Sequence, residues 1–424
     1  MPAGVDTSFA RENSASWKFR PRPRRSSAGT NTAAGMKRSL NAVAAACVAA
    51  LLASSTAGAD QPPLRIGFVA TFSGGFTQAG KNSDAAIAAF MKEHGDSVAG
   101  RKVVIVKRDD GGPAPDNAKR LAQELILGEG VDYLMGLTFS PNAKAVGEIS
   151  TAAKKPVFIT NAAANGILEP NPYMARFSYT EGQLTTPLAQ WALKNNIKSV
   201  YAIYLDYATG IDAAAGFTRA FTAGGGKVIG EERVPISAVD YSAYVQRIKD
   251  AAPQAVFCFL TVSGGTFLKA FDAAGLQGSI KVLGTGDMVA ESSLPAMGDD
   301  ANGVITAMNY AASHNSDLNR TFARDMHAFD ASIDQPDFGS VATYDALSAI
   351  YKVVAAQNGG TDPDRTMALL RGMKLDSPRG PIQIDPQTRD IVQNIYIRRT
   401  ERVNGRMQNT EIATYPMVRD PLEK

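Results

Sequence analysis

Two short apolar segments, 133–136 and 156–160, each run out into residues suited to binding chemistry. The first leads into Thr138-Phe139-Ser140-Pro141-Asn142, the second into Asn161-Ala162-Ala163-Ala164. Residues 142–153 between them read as a helix, so the pair reads as two buried strands joined by one helical crossover. In an open parallel sheet the carboxyl ends of adjacent strands form the crevice where ligands bind. Small residues let a ligand reach the backbone. Ser140 and Asn142 fall where the first N–H groups of a helix lack partners and favour negative charge. The chemistry expected from this stretch is capture of a small anion.

Other residues suit chemistry of other kinds. Ser73-Gly74-Gly75 and Ser263-Gly264-Gly265-Thr266 have the composition of turns that cradle an anion with backbone N–H groups. They equally suit tight strand-to-helix turns. Phe72 and Phe76 flank the first of them, as a cover for a flat ligand or as ordinary core. Asp109-Asp110 follows a strand; metal ligation or acid–base work is one reading, a solvated turn feeding the next helix is the favoured one. His94, His314 and His327 fall in polar helical or loop settings and are expected as surface imidazoles. No G-x-S-x-G, H-E-x-x-H or Walker A pattern occurs, and no Cys/His cluster has metal-ligand spacing. The inventory argues against an enzyme and implies no cofactor.

The elements that position these residues alternate strand and helix from residue 64 onward, a βαβ succession. Strands are expected at 64–71, 102–108, 133–136 and 156–160, with helices at 83–94, 116–127 and 142–153. Residues 171–178 then carry the chain to a second unit of the same design. There, strands at 199–205, 227–234, 255–260 and 281–283 alternate with helices at 209–223, 241–251 and 264–274. Gly224-Gly225-Gly226 gives a strong helix stop. After 304–309, helices at 317–331 and 338–357 are expected to return to the first lobe. Segments 381–384, 391–399 and 407–415 alternate like edge strands. Two doubly wound αβα lobes joined by several crossovers make a cleft that closes by hinge motion.

The formal charge of +3 over 424 residues is unevenly spread. Residues 1–59 hold eight of the 44 Lys and Arg but two of the 41 Asp and Glu, so the remainder carries a net charge of about −3. No basic surface for nucleic acid survives that subtraction. Met36-Lys37-Arg38, the apolar run 40–53 and Ala57-Gly58-Ala59 read as a secretory signal with cleavage before Asp60. The run is too short for a membrane helix of roughly 20 residues. Residues 1–35 read as a disordered extension or a misplaced start. Cys47 sits inside the apolar run without a lipoprotein pattern, and Cys258 reads as a small hydrophobe in a buried strand.

A set of motifs runs through the chain in order: Ile66-Gly67, the loop ending at Gly80, Asp109-Asp110, 133–140, 156–164, Asp206-Tyr207, Tyr344-Asp345-Ala346, Gly380-Pro381 and Ile384-Asp385. With these the sequence resembles the periplasmic leucine/isoleucine/valine-binding proteins, the type I solute receptors of branched-chain amino acid ABC transporters. The resemblance implies a two-lobed fold with three crossovers, near Glu181, Tyr310 and Ile391, and so a partition of 60–181 with 310–391 against 182–309 with 392–424. It implies that Ser140 and backbone N–H groups receive a ligand carboxylate, with Ala162, Ala163 and Ala164 as the second contact. The family's threonine is replaced here by Ala164. Tyr207 matches a tyrosine that covers the ligand from the second lobe, and Asp287 matches an ammonium anchor. A further aromatic or polar position falls near Leu260, which is apolar.

The function expected is capture of a small periplasmic carboxylate by a monomeric receptor that delivers it to an ABC permease. Ser140 with the N–H groups around Asn142, Ala163 and Ala164 would hold the carboxylate; Phe76, Phe139 and Tyr207 would cover the apolar body. Loss of a hydroxyl and gain of apolar lining bring aromatic acids in beside branched-chain amino acids. Two other classes stay open: a ligand sensor of the same fold with a signalling partner, and an α/β enzyme using Asp109 or Asp287 as base.

Overall fold

Strand β1 (Leu64–Ala70) is buried along almost its whole length, as a strand covered on both faces must be. It is the centre of the first sheet of the computed structural model, which describes residues 61–421. The extension 1–35, the leader 36–59 and Cys47 lie outside the described residues. A turn at Gly74–Phe76 leads into α1 (Thr77–His94), then β2 (Ser97–Val98), β3 (Arg101–Asp109) and α2 (Pro115–Gln123). After them come β4 (Tyr133–Gly136), α3 (Ser140–Ala153), β5 (Val157–Ile159) and β6 (Met174–Arg176). The sheet order is β2-β3-β1-β4-β5-β6, parallel except for the β2–β3 hairpin.

Two expectations change here. Helix α1 begins at Thr77 rather than 83, because Thr77–Asn82 is too polar to show an apolar stripe. Segment 171–178 is no simple connection: Met174–Arg176 pairs with β5 as a sixth strand, too short to carry a period of its own.

The chain crosses into α4 (Glu181–Lys194), whose start is fixed by a capping box. Thr180 Oγ accepts the Gln183 N–H at 3.3 Å, and Gln183 Oε1 accepts the Thr180 N–H at 3.1 Å. The second sheet is built from β7 (Ser199–Leu205), α5 (Ala208–Ala223), β8 (Lys227–Val234), α6 (Ser242–Ala251), β9 (Ala255–Phe259), α7 (Gly264–Ala273), β10 (Lys281–Thr285) and β11 (Ile305–Met308). Helices α8 (Asp317–Phe329) and α9 (Phe338–Ala356) then return to α1 on the first lobe. After α10 (Pro363–Leu370) come β12 (Lys374–Leu375), β13 (Ile382–Ile384), β14 (Ile391–Val403) and β15 (Arg406–Val418).

These last strands are not all edges. β14 pairs antiparallel with β11, β13 and β15, so it lies inside the second sheet. Its buried stretch from Ile391 to Arg398 explains why its apolar alternation is incomplete. Leu375, Ile382, Ile384 and Ile391 belong by hydrogen bonds to the second sheet but bury their side chains in the core of the first lobe. The sheet thus reaches across the junction.

Three strands of chain meet there and are tied by buried polar groups. The Ser178 carbonyl accepts from Asn309 Nδ2 at 3.2 Å, Gln393 Nε2 at 2.9 Å and Arg379 Nη1 at 3.3 Å. Gln183 Nε2 donates to Ile391 O at 2.7 Å and to Val418 O at 2.8 Å. These bonds tie the crossing segments to one another through buried backbone carbonyls.

Candidate binding site

At the carboxyl end of β4 the backbone turns sharply. Gly136 has φ +113°, and a Cβ there would lie 2.3 Å from Val69 O, so only glycine fits. The turn delivers Ser140 to the first position of α3. The Ser140 side chain is buried, and its Oγ accepts the N–H groups of Ala163 at 3.2 Å and Ala164 at 3.0 Å. The two amides expected to hold a carboxylate are therefore engaged by Ser140 itself. With both lone pairs in use, the hydroxyl proton is left to donate. Ser140 is the donor of this floor, and Ala163 and Ala164 set its direction.

Arg176 holds that loop from below. Its Nη1 donates to Ala163 O at 3.1 Å and Tyr179 O at 3.2 Å, its Nη2 to Ala164 O at 3.1 Å, and its Nε pairs with Asp390 at 2.9 Å. The buried guanidinium also places positive charge beneath the loop. Sequence reading missed Arg176 because it sits on β6, the strand that carries no pattern.

The other first-lobe candidates divide. Phe76 and Phe139, both half-buried, stand edge to face with centroids 4.8 Å apart. Ala162 is buried in the core and its carbonyl accepts from Ser178 Oγ at 3.1 Å. Asn142 Nδ2 donates to Asp110 Oδ2 and to Gly112 O, each at 2.9 Å, and Thr71 Oγ donates to Asp110 at 2.6 Å. The Asn142 side chain thus fixes the loop after β3. Asp110 is buried within that network, not solvated as expected; Asp109 accepts from the Phe72 and Gly111 N–H groups at 2.9 Å, as a turn residue does.

From the second lobe come Tyr207 and Asp287, both half-buried. Tyr207 precedes α5, with its ring 6.0 Å from that of Phe259. Burial, then the charges of Asp287 and Glu181, push its phenol well up, so it stays a neutral hydroxyl. Asp287 lies on the turn after β10 and accepts from the Thr285 hydroxyl. Arg398 secures that turn: its Nη2 donates to Gly286 O at 3.2 Å and its Nη1 to Tyr310 O at 2.6 Å and Glu291 at 2.9 Å. Burial raises the Asp287 carboxyl, opposed by the Thr285 hydrogen bond and the Arg398 charge.

Glu181 also escaped sequence reading as a site residue. It is the first residue of α4, fully buried, and neither carboxyl oxygen has a hydrogen-bond partner among the described residues. Burial raises it well above the usual range, reinforced by Asp287 and Asp212 and opposed by Arg176. Across the cleft, the Asn165 N–H of the first lobe donates to Asp212 on α5 at 3.4 Å.

Several sequence candidates lie elsewhere in role. A Cβ on Gly264 would meet Met288 O at 2.3 Å, so that glycine serves close packing. His94 lies 3.0 Å from the Tyr344 hydroxyl, its ring 4.4 Å from that of Phe90, and is exposed as expected, as is His327; His314, 2.9 Å from Glu411, is instead half-buried. Cys258 and Leu260 are fully buried. Among the described residues, no group of His, Cys, Asp and Glu is placed to hold a metal ion, and no helix is long and apolar enough to cross a membrane.

Comparison with known proteins places this geometry in context. A family model described as "Periplasmic binding protein" matches residues 63–406. The Leu/Ile/Val-binding protein homolog 6 of Brucella abortus (strain 2308) is 41% identical over 375 residues, covering 87% of this chain and 95% of that protein. A solute binding protein of an ABC transporter from Rhodopseudomonas palustris BisB5, solved with 3,4-dihydroxy benzoic acid, is 42% identical. It superposes with a TM-score of 0.81 over 85% of this chain and 99% of its own. A counterpart from Rhodopseudomonas palustris HaA2, solved with p-hydroxybenzoic acid, is 40% identical with a TM-score of 0.82 over the same shares.

Proposed function

This chain belongs to the periplasmic binding-protein family, as an extracytoplasmic solute receptor of an ABC transporter related to the Leu/Ile/Val-binding proteins, and on that premise we propose that its ligand is an aromatic monocarboxylate. It works by binding and handing over to a permease, without catalysis.

One observation carries the aromatic reading: the Phe76–Phe139 edge-to-face pair stands at the entrance of the helix that Ser140 opens. An aromatic acid would receive the Ser140 O–H on its carboxylate and lay its ring against these phenylalanines, with Tyr207 closing over it. Ala164 in place of a hydroxyl residue, and hydroxybenzoates in two solved relatives, support the same reading. Closure of lobe 60–181 with 310–391 onto 182–309 with 392–424 would exclude water and strengthen the charge-assisted hydrogen bond. Asp287, half-buried and held by the Arg398-secured turn, favours a second reading in which an ammonium group is bound and the ligand is a branched-chain amino acid.

Calorimetric titration of the chain from Asp60 with benzoate, 4-hydroxybenzoate, leucine and valine separates the two. The aromatic reading expects dissociation constants near ~1 μM, roughly −8 kcal/mol, for the aromatic acids alone. Heat from leucine or valine alone overturns it. Export by cleavage of residues 36–59 belongs to the same proposal; amino-terminal sequencing of the exported protein is expected to begin at Asp60.

A further inference from the structure

The peptides that give their amides to Ser140 give their carbonyls to a guanidinium. Ala163 and Ala164 donate to Ser140 Oγ at 3.2 and 3.0 Å, and their carbonyls accept from Arg176 Nη1 and Nη2, each at 3.1 Å. The same loop touches the second lobe. The Ala163 side chain belongs to one apolar cluster with Leu184 of α4 and Phe217 of α5, and the Asn165 N–H reaches Asp212.

On its far side Arg176 holds two segments by which the chain leaves the first sheet. Its Nη1 donates to Tyr179 O at 3.2 Å, one residue before Thr180 caps α4. Its Nε lies 2.9 Å from Asp390, the residue before β14 enters the second sheet. The Arg176 N–H donates to Arg389 O at 3.1 Å, so the backbone of β6 is bonded to that segment too. These contacts differ in kind. Those to carbonyls are hydrogen bonds, whereas neither Arg176 Nε nor either Asp390 carboxyl oxygen has a hydrogen-bond partner among the described residues. The Asp390 contact is therefore an ion pair without hydrogen-bond alignment. Coulomb attraction depends on distance and a hydrogen bond also on angle, so this contact can turn without parting. A buried ion pair adds little stability over apolar residues of the same volume, so stability alone does not account for it.

We propose that Arg176 is a positioning residue that couples carboxylate capture at Ser140 to closure of the two lobes. The proposal rests on Ser140 as the carboxylate donor, which the aromatic and the amino-acid readings share. A carboxylate accepting the Ser140 O–H draws the hydroxyl and its two peptides with it. Their carbonyls carry Arg176, and Arg176 carries Tyr179 and Asp390, where α4 and β14 begin. Coupling between sites travels through contiguous hydrogen-bonded and packed groups of this kind.

The chain from Asp60 holds one cysteine, the buried Cys258, so spin labels can be placed selectively at Arg120→Cys on α2 and Ala215→Cys on α5, both exposed positions. The distance between labels and the calorimetric occupancy are followed with 4-hydroxybenzoate, and with leucine if wild type binds leucine instead. In wild type the distance is expected to change in step with occupancy. Arg176→Lys keeps the charge but loses the fork that reaches three carbonyls. Its affinity is expected to fall by about tenfold or more, and saturation to leave the distance short of the wild-type change, since a receptor that closes less binds less tightly. Asp390→Asn, which keeps the hydrogen bonds of the floor loop, is expected to show a reduced distance change at saturation as well. A purely structural Arg176 would lower affinity and melting temperature yet give the full change at saturation; that result in either variant overturns the proposal. If neither variant folds, hydrogen exchange in wild type decides. Ligand is expected to slow exchange in 161–165, 177–180 and 389–391 together, and slowing confined to 161–165 overturns the coupling. Undiminished affinity in Ser140→Ala overturns the Ser140 reading and the coupling with it. Lost affinity there, with full closure in the Arg176 and Asp390 variants, overturns the coupling alone. A wild type that binds neither 4-hydroxybenzoate nor leucine overturns both.

Discussion

The Ser140 hydroxyl accepts the Ala164 N–H at 3.0 Å and the Ala163 N–H at 3.2 Å, so one side chain both orders the loop after β5 and is left with a proton to donate. Ser140→Ala removes that donor and strands two buried amides. Affinity for a carboxylate ligand is expected to fall by ~1–3 kcal/mol, and the melting temperature of the free protein to fall as well. Calorimetry and a thermal melt read the two effects. Unchanged affinity with a lowered melt would leave Ser140 a loop organiser alone.

Phe139→Leu keeps apolar volume but breaks the edge-to-face pair with Phe76. Aromatic pairs contribute ~0.5–1.5 kcal/mol beyond burial, so binding of an aromatic acid is expected to weaken by about two- to tenfold. Titration with benzoate checks this, and equal affinity in the variant would take the pair out of the site.

Arg398 joins Glu291, the Gly286 carbonyl and the Tyr310 carbonyl, all buried. Arg398→Met leaves the Glu291 carboxylate uncompensated, and breaking a buried pair this way costs ~3–5 kcal/mol. Urea unfolding is the measurement; a loss below ~1 kcal/mol would show that the guanidinium is not what secures the Asp287 turn.

The raised carboxyl of Glu181 gives stability a pH slope. In the unfolded chain a glutamate titrates near about 4.3, whereas burial, with Asp287 and Asp212, lifts the folded value well above it. Between the two values the folded state binds more protons, so stability is full below the unfolded value and is lost as pH rises through the folded one. Arg176 opposes this shift and Asp420 adds to it, so the slope belongs to the cluster. Glu181→Gln is expected to raise the melting temperature of the ligand-free protein more at pH 8 than at pH 5. A gain independent of pH would mean that Glu181 does not titrate in that range.

Where apolar runs were long enough to carry a period, the elements could be read directly. β1 and β7 are nearly buried over seven residues each, and α9 buries twelve of its 19 residues, so their sequences announce them. β6, three residues long, carries no such signal, and Arg176 went unnoticed with it. Asn142 was rightly placed on the first turn of α3, but the partner of its amide, Asp110, lies 32 residues away on another loop. Similarly, the sequence shows Ala163-Ala164 beyond one strand and Ser140 beyond its neighbour. It cannot show that the amides close onto the hydroxyl, because that depends on how far the two loops lean together.

By itself, then, the sequence determined the βαβ succession, the two lobes and the stretch proposed as the ligand floor, since periodicity and small residues are local properties. Only the tertiary structure decided which polar atoms are already satisfied and which are not. Ser140 engages two amides and Asn142 a distant turn, whereas Glu181 and its two oxygens are enclosed without a hydrogen-bond partner among the described residues. Hydrogen-bond satisfaction is a pairing between residues far apart in the chain, and it comes into being only when the fold brings together the loops that carry them.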